Sequence, residues 1–110
     1  YTSNMGLLAL RRGIAQYVEK KTGIGYNPAD EVLVTVGVSE GLDLAIRALI
    51  EPGDEVLYHE PSYVSYNPLI QFAYGKPVAI QTKKENGFRL TRAELEEHVS
   101  PKTQISMFSA

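Results

Sequence analysis

Apolar residues Leu7, Leu10, Ile14 and Val18 recur at helical spacing, while Arg11, Arg12, Glu19, Lys20 and Lys21 fall largely on other faces. The pattern predicts an amphipathic helix over about residues 6–21, closed by Gly23. After a loop at Gly25-Tyr26-Asn27-Pro28, the run Val32-Leu33-Val34-Thr35-Val36 is short, continuous and rich in β-branched residues. Such a run suits a strand covered on both faces, as in a parallel sheet. A helix is expected from about residue 39 to 50. Its apolar residues, Leu42, Leu44, Ala45, Ile46, Ala48 and Leu49, wrap most of its circumference and predict deep burial.

Pro52-Gly53-Asp54 supplies turn chemistry. Residues 55–59 then read as a second strand and residues 63–74 as a helix, with Pro68 placed early in it or kinking it. Residues 76–81 read as a third strand. Asn86-Gly87 is a turn, Thr91-Arg92-Ala93-Glu94 resembles a capping box, and a last strand lies near Ile105. The order α-β-α-β-α-β-α-β implies parallel strands joined through helices, hence a layered α/β sheet.

The chain has 110 residues, room for one modest domain. Its 44% hydrophobic and 22% charged content is ordinary for a globular protein, and the formal net charge is -2. The 11 Lys and Arg are scattered, so no nucleic-acid partner is expected. No apolar run approaches the roughly 18 residues of a membrane span. With no cysteine, thiolate metal sites and disulfides are excluded within this chain. No His and carboxylate cluster suggests a metal site. The lack of an initiator Met, and a last strand with nothing to pack over it, predict an internal, incomplete piece.

Chemistry concentrates at two places. Residues 35–40 pass from a predicted strand end into a helix, where open α/β sheets bind ligands and a helix N-terminus attracts anions. Gly37 permits close approach and Ser39 adds a hydroxyl, although on spacing alone most such turns only connect elements and Ser39 as a plain N-cap is the plainer reading. Neither a P-loop nor a dinucleotide-binding glycine pattern is present. The second place is Glu60-Pro61-Ser62-Tyr63-Val64-Ser65-Tyr66. Tyr63 offers an aromatic surface to a flat ligand; packing of Tyr63 and Tyr66 on the sheet is the plainer alternative.

In order and spacing, these segments resemble the large domain of class I/II aminotransferases, the fold-type-I pyridoxal-phosphate enzymes. The resemblance rests on Tyr1, Gly6 and Leu10-Arg11, on Val34 to Leu42, and on Pro52-Gly53-Asp54-Glu55-Val56. Pro61 to Tyr66, Asn86-Gly87-Phe88 and Pro101-Lys102-Thr103 continue it. It implies an α/β fold with a mostly parallel sheet flanked by helices. Residues 1–110 would be a single partial domain, the N-terminal part of the cofactor-binding large domain. Backbone groups of Gly37, Val38, Ser39 and Glu40, with the Ser39 hydroxyl, would hold the phosphate of pyridoxal 5'-phosphate. Tyr63 would stack on its ring, and Tyr66 would at most support groups near the ring nitrogen. Tyr1 would reach the cofactor phosphate of a neighbouring subunit in a homodimer. The substrates would be amino acids and 2-oxo acids, in a cytoplasmic enzyme. None of Lys20, Lys21, Lys76, Lys83, Lys84 or Lys102 matches the Schiff-base lysine, so no catalytic residue is assigned and the chain alone is expected to be inactive. The same fold also serves lyases and synthases, and a small non-catalytic anion-binding module is the alternative from another class.

Overall fold

A computed structural model describes residues 3–109. The chain divides into two compact units, one ending at Gly41 and one beginning at Leu42.

The first unit is built on α1 (Leu8–Thr22), closed by Gly23, whose N–H donates to the Glu19 carbonyl (2.8 Å). Its buried side chains are Arg11 and Ala15. The expected apolar face is therefore displaced: Leu7 and Leu10 are exposed. Arg11 is only 5% exposed, and its guanidinium is bonded to backbone carbonyls. Nη1 donates to the carbonyls of Pro28 (2.7 Å) and Ala29 (3.0 Å), and Nε to that of Gly6 (3.1 Å). A planar fork of donors can close a loop in this way while its methylene stem packs as an apolar group. Gly6, at φ 94, lies so close to Val34 that a Cβ would sit 2.7 Å from the Val34 Cβ. The Val34 N–H donates to the Met5 carbonyl (3.0 Å).

Residues 32–36 are not a strand, contrary to expectation. Strand identity requires a hydrogen-bonded neighbour, and no sheet partner for this run exists among the described residues. The run leads into α2 (Gly37–Leu49), which crosses into the second unit.

Within the second unit α2 buries Ile46, whereas Leu44 and Leu49 are exposed. An all-round apolar helix needs neighbours on every side, and only the Ile46 face is covered here. The core joins Ile46 and Ile50 to Val56 and Tyr58 of β1 (Glu55–Glu60), Tyr66 and Ile70 of α3 (Tyr66–Phe72), and Met107 of β3 (Thr103–Met107). The α3 helix is shorter than its expected span because residues 64–65 form a turn; Pro68 is its third residue, where no intrahelical N–H partner is lost.

The sheet has the order β2-β1-β3, all parallel, with β2 spanning Lys76–Gln81. Its central strand is buried through Val56, Leu57 and Tyr58. Register pairs Glu55 with Lys76 at one edge and Glu60 with Gln81 at the other. At the first edge Lys76 Nζ donates to Glu55 Oε1 (2.9 Å) and Ser100 Oγ to Oε2 (2.6 Å). These donors, Ser100 foremost, hold the Glu55 carboxyl below its ordinary 4.5. A 3-10 turn at Lys84–Asn86 precedes α4 (Arg92–His98), and both α3 and α4 pack against β2. The expected capping box is present: Thr91 Oγ1 accepts the Glu94 N–H (3.3 Å), and the Glu94 carboxylate accepts the Thr91 N–H (2.9 Å).

Candidate functional site

Two places carry the candidate chemistry, one in each unit. In the first, α2 opens on Gly37 at φ 79, a left-handed conformation natural to glycine. A Cβ there would meet no heavy atom within 4 Å, so the space on that side of Gly37 is open. Thr35 folds the turn: its carbonyl accepts the Gly37 N–H (2.9 Å) and its hydroxyl donates to the Gly37 carbonyl (2.9 Å). The first N–H groups of a helix have no intrahelical acceptors, and the dipole makes this end electropositive. The turn already hosts an oxyanion, since the Glu40 carboxylate accepts the Val36 N–H. Gly37, Val38, Ser39 and Glu40 are all exposed. A helix N-terminus is a general place for an anionic group.

In the second unit a cleft of about 480 Å³ opens at the carboxyl ends of β1 and β2. Tyr63 and Phe88 supply aromatic surface to it, and Tyr58, Glu60, Asn67 and Gln81 its polar groups. The polar groups form one directed network. Asn67 Nδ2 donates to Tyr58 Oη (2.8 Å), Tyr58 Oη donates to Glu60 Oε1 (3.0 Å), and Gln81 Nε2 donates to Glu60 Oε2. Burial first, and then the Glu60 carboxylate, push the Tyr58 hydroxyl above its ordinary 10.0, against the opposing effect of Asn67. It therefore stays a proton donor at neutral pH.

Of the residues singled out in the sequence, Tyr63 is about half exposed. Tyr66 is a core residue whose ring meets Tyr63 edge-to-face (5.7 Å, 81°). The plainer reading of Tyr66 thus holds, and it also braces Tyr63. Tyr1 lies outside the described residues. His59 Nε2 accepts the Ser109 N–H (3.1 Å), and its ring stacks on Phe108 (6.2 Å), a structural role. His98 Nδ1 bonds the Glu94 carbonyl (2.7 Å) at the end of α4. Among the described residues no group of His, Asp and Glu is placed to hold a metal, and no helix is long and apolar enough to cross a membrane.

Sequence reasoning missed the Tyr58–Glu60–Asn67–Gln81 network. Its usable signal was Glu60 at a strand end; the Gln81 partner depends on register. The burial of Arg11 had no signal, because its oxygen acceptors are backbone carbonyls.

Comparison with known proteins gives the family. The family described as aminotransferase class I and II matches residues 1–108. The chain is 43% identical over 104 residues to the putative aminotransferase YugH of Bacillus subtilis, covering 94% of this chain and 27% of that protein. It is 38% identical over 104 residues to aromatic-amino-acid aminotransferase 2 of Thermococcus litoralis, covering 94% of this chain and 27% of that protein. Among solved structures, the aromatic aminotransferase from Pyrococcus horikoshii matches with a TM-score of 0.91 at 39% identity, covering 96% of this chain and 28% of that one. The chain thus spans about a quarter of the length of the curated relatives it matches.

Proposed function

The chain belongs to the aminotransferase class I and II family, and we propose that it is the cofactor-gripping part of an enzyme that moves an amino group between an amino acid and a 2-oxo acid. The cofactor is pyridoxal 5'-phosphate, which supplies an electron sink for the substrate α-carbon when bound. This chain's own residues bind and orient. Backbone groups of the Gly37, Val38, Ser39 and Glu40 turn, with the Ser39 hydroxyl, hold the phosphate; Gly37, its own N–H taken by the Thr35 carbonyl, serves by allowing close approach. Tyr63 lies against the ring. Tyr1 carries the family role of reaching the neighbouring subunit's cofactor in a homodimer. Residues 1–110 are read as one partial domain, the N-terminal part of the large domain, in a cytoplasmic enzyme. No residue here is assigned a proton-transfer role, so the chain by itself transfers no amino groups.

The observation that carries this reading is the left-handed, unobstructed Gly37 at the exposed start of α2, in a chain whose family uses a phosphorylated cofactor. The test is non-covalent binding of pyridoxamine 5'-phosphate, which cannot form adventitious imines with lysines. The phosphate ester should bind the chain roughly tenfold or more tightly than pyridoxamine, since charge-assisted bonds to a phosphate contribute on the order of 1.5–3 kcal/mol. Ser39→Ala should weaken the ester alone. Equal binding of the two compounds would sink the phosphate grip, and amino transfer by the purified chain would sink the claim that it lacks catalytic groups.

A further inference from the structure

The cleft at the carboxyl ends of β1 and β2 contains a carboxylate held by neutral donors and, among the described residues, paired with no cation. The Glu60 carboxylate accepts hydrogen bonds from the Tyr58 hydroxyl and the Gln81 side-chain amide. Its backbone carbonyl takes the N–H (3.0 Å) and the hydroxyl (2.6 Å) of Thr82. The ion pairs among the described residues all involve other acids, namely Asp43, Glu55 and Glu96. Neutral donors hold the Glu60 side chain in one place without cancelling its charge. Two donors also leave part of a carboxylate's acceptor capacity open.

The cleft walls complete the chemistry. Tyr63 and Phe88 are 46% and 48% exposed. Phe88 sits at φ 58, anchored by its N–H to the Lys83 carbonyl (2.9 Å). A bulky aromatic residue in the left-handed region is strained, and such strain concentrates where a side chain is presented for contact. Aromatic faces beside a fixed carboxylate attract organic cations and offer little to anions. A volume of about 480 Å³ is of ligand-binding size. Charge sign is specific to this cleft: a neighbouring one that shares Phe88 is lined by Arg89 instead.

We propose that this cleft is a binding site for a small organic ammonium ion, with Glu60 as counter-charge and Tyr63 and Phe88 as its aromatic walls. Because Tyr63 also serves the ring in the proposed function, the site is that of the cofactor-free chain, and it is tested there. The chain, labelled for amide NMR, is titrated with choline and with its uncharged isostere 3,3-dimethylbutan-1-ol. Choline should give saturable shifts at the Gln81 side-chain amide and at Phe88, and bind roughly tenfold more tightly than the isostere. Glu60→Gln should erase that preference. Glu85→Gln, which removes the same charge from the 3-10 turn, should leave it intact. Equal affinity of the unmodified chain for the two compounds overturns the site, as does a folded Glu60→Gln variant that still prefers choline. The first comparison needs no variant, so a failure of Glu60→Gln to fold does not shelter the proposal.

Discussion

Two runs that read as strands in this chain have opposite fates. Residues 32–36 and the strand β1 each precede a turn and a helix, and each is rich in residues that favour strands. The first makes one backbone bond to Met5 and leaves Val36 90% exposed. The second is paired on both sides, and Val56 and Leu57 are 0% exposed. Side-chain type made both runs suitable for a sheet; neighbours decided which became a strand. β-propensity measures fit to a pleated, half-buried surface, and a ladder must exist before that fit counts. The same contrast separates the two candidate sites. The turn at Gly37 is local, built by residues within six positions of one another. The Glu60 cleft is assembled from two strands, a helix and a loop.

The largest expected effect breaks or confirms the contrast between the runs. Leu57→Ala should cost about 2–5 kcal/mol in urea unfolding, the usual cost of truncating a fully buried side chain. Leu33→Ala, at a site 51% exposed, should stay within about 0.5 kcal/mol. Comparable losses would mean that residues 32–36 are as firmly packed as β1.

A smaller effect sharpens the local nature of the turn. Gly37→Ala should destabilise by about 1–2 kcal/mol through left-handed strain, and should weaken pyridoxamine 5'-phosphate binding. Gly13→Ala within α1, where a Cβ meets nothing within 4 Å, should instead stabilise by about 0.5–1 kcal/mol. Equal shifts in thermal midpoint, in the same direction, would remove the conformational argument at Gly37.

The smallest effect tests whether register at the sheet edge has an energetic consequence. Glu55 is held below 4.5 in the folded protein, chiefly by Ser100. A depressed carboxyl contributes stability above its unfolded value, and that contribution is lost as pH falls through the folded one. Ser100→Ala should return Glu55 toward 4.5 and move the acid-unfolding midpoint, followed by circular dichroism, to higher pH. An unchanged midpoint would leave the Ser100 bond without consequence.

Much of the fold was legible because its signals are local. The capping box at Thr91–Glu94, the closing Gly23, the β2 span and the early Pro68 all follow from backbone chemistry over a few residues. The helical spacing found α1 but misplaced its buried face, because periodicity counts apolar atoms and cannot see that backbone carbonyls of residues 28–29 await a guanidinium. Apolar content likewise overstated the burial of α2, since coverage depends on what stands opposite.

The sequence by itself determined the parallel α/β plan, the family, and the exposed left-handed turn at Gly37, all of which rest on short-range order and spacing. The tertiary structure alone decided that residues 32–36 stay unpaired, that Tyr66 is core and Tyr63 surface, and that Gln81 meets Glu60 across a ladder. Those outcomes depend on register and on neighbours distant in the chain, and neither is encoded in any single stretch of residues.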